Sequence, residues 1–459
     1  MKTVKSNKKG TMTLFLAIIL SALILIECTF VMFIWDLDYR LAYSSALRAE
    51  VETILAEYDR QLFDTYGIYA VTLNDVDDEV FQKAISTHGY TGDSDIEVYG
   101  VKALSMEDLK AAISVYYANR AGGIWFEKAF VQVEGLLDEA GVGDILEMLR
   151  QFTSSDAAKY LEELLSGAST IAEWFDEAVQ SDESIASEDY RQEMIDFAKF
   201  KKSIDEADND LEDLDIGIEL TDISCLVDGL DMLIDVQYGV TDAVMTAAFH
   251  PACAFYAANN FDCVLSNDFD CSINGTKYSD IHGENYLDAE YILTGLDGRV
   301  GVAEVSCLVF AVLFVMRAVE NFADPELEAA LTGISAVIST IVLAISGGVV
   351  IIDPEILTTV MILIKSAAES VKGLIDVLNG ETFALVSYEG MELVYVGYRD
   401  FLFLLMCLVS DDNMLGRMIE VLNRDYGELY TGVGASGVYR GQEYSQEKIY
   451  QMYEQGGSS

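Results

Sequence analysis

The chain has 459 residues, of which 51% are hydrophobic, and its 28 basic residues against 77 acidic ones give a formal net charge of −49. This length is enough to bury a sizeable core and to form two domains. So acidic a surface repels phosphate backbones, which excludes nucleic acid as a partner. Prolines occur only at positions 251, 325 and 354, so the first 250 residues lack this helix breaker and a mostly helical protein is favoured.

The N-terminal segment predicts a membrane anchor. Residues 1–10 carry four lysines and no acid, and residues 11–35 are apolar except for Glu27. At 1.5 Å per residue this run can cross a hydrocarbon core of about 30 Å. Lysines before the run and acids after it predict a transmembrane helix over 11–35 with a cytoplasmic basic tail. The rest of the chain is then expected to be extracytoplasmic, with the lipid bilayer as its first partner.

An uncleaved anchor is favoured over a cleaved leader, because the apolar run is longer than that of a secretory signal. A lipoprotein signal is disfavoured because Glu27 stands directly before Cys28. A prepilin-type cut after Gly10 stays open, since KKG precedes an apolar helix. Phe15, however, stands where that leader carries a glutamate.

Candidate partner contacts lie along this helix and its continuation. A carboxylate in lipid costs on the order of 2–3 kcal/mol, so Glu27 is expected to contact another subunit or, alternatively, to be protonated or to snorkel. We predict one helix of about fifty residues that ends at Gly67. Its apolar stripe supplies the other candidates at helical spacing: Leu37, Leu41, Leu47, Val51, Ile54, Tyr58 and Leu62.

Two strands and a large helical region are expected beyond the anchor. Residues 36–104 are predicted to form a pilin-like stalk helix with strands at 66–73 and 95–104. Ser105 and Asp108 predict a capping box for a helix that runs to about Arg120. The predicted fold class is α+β, mostly α: a long N-terminal transmembrane and stalk helix, a small β-sheet and a large helical extracytoplasmic domain. That acidic domain spans 105–431 with an irregular loop at 250–285, and a loosely ordered tail covers 432–459.

Three later apolar runs are candidates for further membrane spans. Val305–Met316 and Phe401–Val409 are too short to cross a bilayer. Leu331–Ile352 is long enough, but no flanking lysine or arginine assigns it an orientation. A buried helical hairpin is preferred there, and a membrane span stays the alternative.

No catalytic, cofactor or metal site is predicted. The three histidines have no partner at metal-ligand spacing, and the acidic runs at 205–217 and 270–281 fail the spacing of a calcium loop. Four cysteines outside the apolar runs allow one or two disulfides whose connectivity the spacing leaves open: Cys225, Cys253, Cys263 and Cys271.

Five segments together resemble a bacterial family: 8–28 (KKGTMTLFLAIILSALILIEC), 55–71 (LAEYDRQLFDTYGIYAV), 290–295 (EYILTG), 398–406 (YRDFLFLLM) and 416–423 (GRMIEVLN). The family is that of uncharacterised single-span membrane proteins encoded with Tad (Flp-type) pilus genes in Gram-positive bacteria, similar to TadE/TadG-like pseudopilins. The resemblance implies a non-enzymatic, surface-displayed pilus or secretion component with pilin-like or other membrane subunits as partners. A free-standing adhesin or sensor and an extracytoplasmic hydrolase are the alternatives.

Overall fold

The computed structural model describes residues 8–74, 78–88, 95–118, 179–180, 187–214, 249–265, 287–385 and 394–453. Its elements in chain order are α1 (Lys8–Ala56), α2 (Arg60–Tyr66), α3 (Glu79–Thr87), β1 (Ile96–Ala103), α4 (Met106–Ala118), α5 (Glu188–Leu214), α6 (Phe249–Asn260), α7 (Asp288–Thr294), α8 (Gly298–Phe322), α9 (Pro325–Ile345), α10 (Pro354–Leu378), β2 (Phe383–Leu385), β3 (Val394–Val396), α11 (Tyr398–Met406), α12 (Asp411–Tyr426), β4 (Tyr430–Tyr439) and β5 (Gln442–Ile449). The mostly helical α+β fold with a long N-terminal helix and a small sheet is confirmed.

The chain divides into two compact units. Unit 1 contains residues 1–112 and 422–459, so the two ends of the chain fold together. Unit 2 contains residues 113–421.

Helix α1 is 49 residues long and ends at Ala56 rather than at the predicted Gly67. It stops because Asp59 starts a new helix: its carboxylate accepts the backbone N–H of Leu62 at 3.0 Å and caps α2. Gly67, in the left-handed conformation with φ 68°, ends α2 instead. Gly67 therefore ends a helix, as predicted, but that helix is α2 and not α1.

The sheet of unit 1 is antiparallel, in the order β1-β4-β5. The strand predicted over 95–104 is confirmed as β1. The strand predicted over 66–73 is wrong: Tyr66 ends α2, and only Val71 forms a single bridge, to Tyr430. The pairing extends no further because the carbonyl of Ala70 accepts the N–H of Asp59 at 3.2 Å.

The predicted loosely ordered tail over 432–459 is wrong as far as Tyr453, because this segment supplies the central strand and one edge strand of the sheet. Its glycines had argued against a strand. They are needed because tyrosines lie directly against the strand. A Cβ at Gly434 would lie 2.6 Å from Cζ of Tyr99, and one at Gly437 would lie 2.2 Å from the hydroxyl of Tyr43.

The core of unit 1 lies between the second half of α1, helix α3 and the sheet. Leu47 and Val51 of α1 meet Phe81 of α3 and Val433 of β4 there, and all four are buried. Glu50 is also buried, and its carboxylate accepts the backbone N–H of Phe81 at 2.6 Å, in the first turn of α3. This bond satisfies one of the free donors at the start of that helix.

The predicted capping box at the start of α4 is confirmed. Asp108 accepts hydrogen bonds from the N–H of Ser105 at 3.2 Å and from its hydroxyl at 2.9 Å. The same buried carboxylate pairs with Lys102 at 2.6 Å and accepts from Thr431 of β4 at 3.2 Å. The cap therefore also ties α4 to the sheet.

Unit 2 is built on α8, α9 and α10. Helix α10 packs along α8 and α9, and α5 packs against α9 and α10. The preferred helical hairpin is present as α9 and α10, joined by a turn at Gly347 and Gly348. Each helix begins with an aspartate cap, Asp324 or Asp353, followed by a proline at the first helical position.

Two boundaries in unit 2 differ from the sequence analysis. The predicted loop at 250–285 is wrong for its first residues, because α6 runs from Phe249 to Asn260; Pro251 lies in the first turn of α6, where no intrahelical donor is lost. Residues 266–286 lie outside the described ranges. The prediction that Val305–Met316 is too short to cross a bilayer is wrong, because this segment belongs to the longer helix α8, whereas α11 is as short as predicted.

Candidate functional site

The N-terminal half of α1 is the main candidate for an interaction site. Every side chain from Met12 to Trp35 is exposed, although nearly all are apolar. Soluble monomers rarely expose so large an apolar surface, and a lipid environment accounts for it. The helix fits a membrane span in length and composition, with no part of its most apolar window buried. Glu27 and Cys28 lie on this exposed surface.

Two other described helices are also long and apolar enough to cross a membrane, Val300–Phe322 and Pro325–Ala344. They differ from α1 in burial: 59% and 44% of their most apolar windows are buried inside the protein. Within unit 2 they pack on α10 and on each other.

The apolar stripe of α1 divides into two groups. Leu47, Val51 and Ile54, with Leu62 of α2, are buried inside unit 1, and Tyr58 is partly buried there. Their prediction as contacts for another protein is therefore wrong, because these side chains are already buried inside unit 1, those of α1 against α3 and the sheet. Leu37 and Leu41 are 44% and 68% exposed, so these two remain available together with Glu27.

A network of charged residues lies where the exposed and the buried halves of α1 meet. Asp36 accepts from Arg40 at 2.7 Å and, through its other oxygen, from Arg440 at 2.7 Å. Arg40 also donates to Gln442 at 2.9 Å. Arg440 stands in the turn between β4 and β5, so this network ties the hairpin to α1. No local sequence signal predicted it.

A charged cleft of about 400 Å³ opens between α8 and α10. Asn321 donates to Glu369 at 2.9 Å and to Ser366 at 3.0 Å, and Glu369 also pairs with Lys365. Arg317 pairs with Glu320 and lies 4.6 Å above the ring of Phe383. Its lining is Arg317, Glu320, Asn321, Asp324, Lys365, Glu369 and Lys372. Among the described residues, the side chains that line the cleft carry paired charges and include no cysteine or histidine. Such a lining is typical of an ion-pair network between helices.

Three of the segments on which the family resemblance rests, 290–295, 398–406 and 416–423, contribute residues that contact one another in unit 2. The hydroxyl of Tyr398 donates to the buried carboxyl of Glu290 at 2.8 Å, and burial raises the pKa of Glu290. Arg417 donates to the carbonyl oxygens of Ile292 and Leu293 at 2.9 and 2.7 Å, at the C-terminal end of α7. These hydrogen bonds therefore tie α7 to α11 and α12.

The histidines and cysteines of the described residues show no site for a metal. His250 lies in α6, not in a loop, with its ring nitrogens 2.5 Å from Asp411 and 2.8 Å from the carbonyl oxygen of Cys407. Burial raises the pKa of the Cys407 thiol well above its usual range, which is unfavourable for a nucleophile. Cys253 and Cys263 are buried; Cys225, Cys271 and His282 lie outside the described ranges.

Comparisons with protein-family models, with curated proteins and with solved structures found no match to this chain.

Proposed function

We propose that the chain is a non-enzymatic membrane protein with a single N-terminal span, and that it is a component or accessory of a Tad-like pilus or secretion apparatus. The division of α1 carries this proposal. The helix is apolar and exposed up to Trp35, and from Ala42 onward one face is buried against its own sheet. A helix of this kind can be shared between a bilayer and a folded body without unfolding either part.

The orientation follows from charge. The lysines at positions 2, 5, 8 and 9 precede the span, whereas Asp36 and Asp38 follow it, so the N-terminus is cytoplasmic and the acidic body extracytoplasmic. Epitope tags can test this, one at the C-terminus and one at the junction of residues 323 and 324, between α8 and α9. With a single span, protease added to intact cells removes both tags. A protected junction tag with a cleaved C-terminal tag would mean that α8 and α9 also cross the membrane.

The proposed contact with partners in the membrane centres on Glu27, about 12 Å along the helix from Trp35. A carboxylate at this depth is costly in lipid alone and favours a polar or amine partner on a neighbouring helix. Helices of pilin-like subunits would supply such partners. Leu37 and Leu41, exposed beyond the span, extend the same surface out of the bilayer.

Co-purification from detergent-solubilised membranes tests this contact, with Glu27→Ala as the variant and Cys28→Ala as the control at the adjacent exposed position. We expect small subunits with an apolar N-terminal helix to co-purify with the wild type and with Cys28→Ala, but not with Glu27→Ala at equal membrane levels. Unchanged recovery with Glu27→Ala would exclude the Glu27 contact. Absence of such subunits from the wild-type sample would overturn the pilus assignment in favour of a free-standing adhesin or sensor.

A further inference from the structure

The turn between β4 and β5 has an unusual residue. Arg440 and Gly441 connect the strands with φ angles of 49° and 78°, so both are left-handed, as in a two-residue type I′ hairpin. Among the described residues, Arg440 is the one non-glycine residue with positive φ. Asparagine or glycine fits this position better, because a longer side chain crowds the backbone in the left-handed conformation. Strain of this kind is often kept for a side chain that has a role.

The turn is held against the end of the membrane span. Arg440 pairs with Asp36 at 2.7 Å, and Asp36 directly follows Trp35, the last residue of the fully exposed apolar run. One residue of helix advances about 1.5 Å. The headgroup layer on each side of a bilayer is about 5–8 Å thick. If the run up to Trp35 fills the hydrocarbon core, the turn lies at headgroup depth.

The side chains at this turn have the chemistry of an interfacial contact. Arg440 is 66% exposed although it pairs with Asp36, and Val438 beside it is 62% exposed. The charges around the turn are Asp36, Asp38, Arg40, Arg440 and Glu443. They nearly balance, unlike the chain as a whole, so a phosphate can approach the guanidinium groups. Arginine binds phosphate through paired N–H donors, and Val438, about 7 Å from the turn along β4, is within reach of the same headgroup layer.

We propose that the β4–β5 turn is a lipid-contact site, in which Arg440 binds headgroup phosphates of the bilayer that α1 crosses and Val438 enters the interface beside it. This inference rests on the proposed membrane span. Contact at a second point, besides the helix itself, limits the rotation of unit 1 about the membrane normal. A fixed orientation of this kind would matter for a subunit that must present one face to its neighbours.

Photo-crosslinking tests the site in the full-length protein reconstituted in nanodiscs that contain phosphatidylglycerol. A benzophenone amino acid replaces Val438, or Leu25 in the span, or Glu447, which lies about 14 Å farther along β5 than Glu443, the residue opposite Val438. Lipid adducts are measured by mass spectrometry. We expect adducts at positions 438 and 25 and none at 447. Adducts at 25 without adducts at 438 would overturn the lipid-contact site alone, whereas none at 25 would overturn the membrane span itself.

A second variant isolates the arginine. Arg440→Gly also breaks the pair with Asp36, so Asp36→Asn, which breaks the pair and keeps the guanidinium, is its control. Arg440→Gly itself removes the guanidinium and relieves the left-handed strain. Adducts at position 438 should then fall about fivefold, the scale of one lost basic contact with an anionic membrane surface. Adduct yields equal to those with Arg440 present would exclude phosphate binding by this residue.

Discussion

The hydroxyl of Tyr398 donates a hydrogen bond to Oε1 of Glu290 at 2.8 Å, and both side chains are buried. The backbone N–H of Val264 donates to the same oxygen at 2.9 Å. Burial raises the pKa of Glu290, and the two hydrogen bonds oppose that shift without reversing it. The folded state therefore favours the protonated acid more than the unfolded state does.

A pH dependence of stability follows from this shift. From the ordinary pKa of 4.5 up to the raised value, the folded chain binds more protons than the unfolded chain, so the free energy of unfolding falls as pH rises. Below that interval Glu290 is protonated in both states and contributes no slope. Glutamine does not ionise, so the free energy of unfolding of the Glu290→Gln variant should not fall with pH over this interval. Melting temperatures in detergent from about pH 4 to about pH 8 measure it.

The control for this prediction is Glu304→Gln, at an exposed position on α8. We expect it to keep the pH profile of the wild type. If Glu290→Gln also kept that profile, the carboxyl of Glu290 would not be the group that titrates.

The two halves of the apolar stripe should respond differently to truncation. Leu47 is fully buried against the sheet, so Leu47→Ala should lower the free energy of unfolding by about 2–5 kcal/mol. Leu41 is 68% exposed, and Leu41→Ala should change it by less than about 0.5 kcal/mol. Chemical unfolding of the detergent-solubilised protein compares the two. Equal losses would mean that the stripe is not divided as the burial pattern indicates.

The sequence predicted the features that are encoded locally. The length of the apolar run predicted α1, β-branched and aromatic residues predicted β1, and Ser105 with Asp108 predicted the start of α4. What covers the apolar stripe was not predictable, because an amphipathic helix shows only that one face is buried. Another subunit and the segments that follow the helix were both candidates to cover the stripe; the chain's own helix α3 and sheet cover it, and two of the three strands of that sheet come from the distant segment 430–449.

The candidate lipid contact was missed for a related reason. Asp36 and Arg440 are 404 positions apart, and neither residue has a local pattern that predicts the other. Gly441 does favour a turn, but Arg440 does not, and the surrounding composition predicts a loosely ordered tail. The packing of β4 and β5 on α1 brings the turn back to the end of the exposed apolar run.

Asp108 is expected to stabilise unit 1 beyond its role as a helix cap. Asp108→Asn should destabilise the protein by about 3 kcal/mol, because it leaves Lys102 without its buried partner. Ser105→Ala removes only the cap and should cost about 1 kcal/mol. Glu107→Gln, exposed in the same turn, is the matched control for the charge change. Equal losses for Asp108→Asn and Ser105→Ala would limit Asp108 to capping.

Tyr43 of α1 lies very close to Gly437 of β4, so a smaller residue at position 43 should offset the destabilisation caused by a larger residue at position 437. A Cβ at position 437 would lie 2.2 Å from the hydroxyl oxygen of Tyr43 but 3.3 Å from Cζ, so the hydroxyl is the main obstacle. Gly437→Ala should therefore destabilise the protein by about 1–3 kcal/mol, and Tyr43→Phe in the same chain should recover most of that loss. Ser436→Ala, one residue earlier in β4, controls for the added strand propensity.

A double-mutant cycle on melting temperatures measures the coupling between positions 43 and 437. Because the hydroxyl oxygen is the nearest atom to the added Cβ, its removal should make the effects of the two substitutions strongly non-additive. Additive effects would mean that the strand shifts to accommodate alanine without involving Tyr43. The packing of α1 on the sheet would then be looser than the 2.2 Å between the added Cβ and the Tyr43 hydroxyl oxygen implies. Strong coupling would instead fix the register of α1 on β4, on which the position of the β4–β5 turn depends.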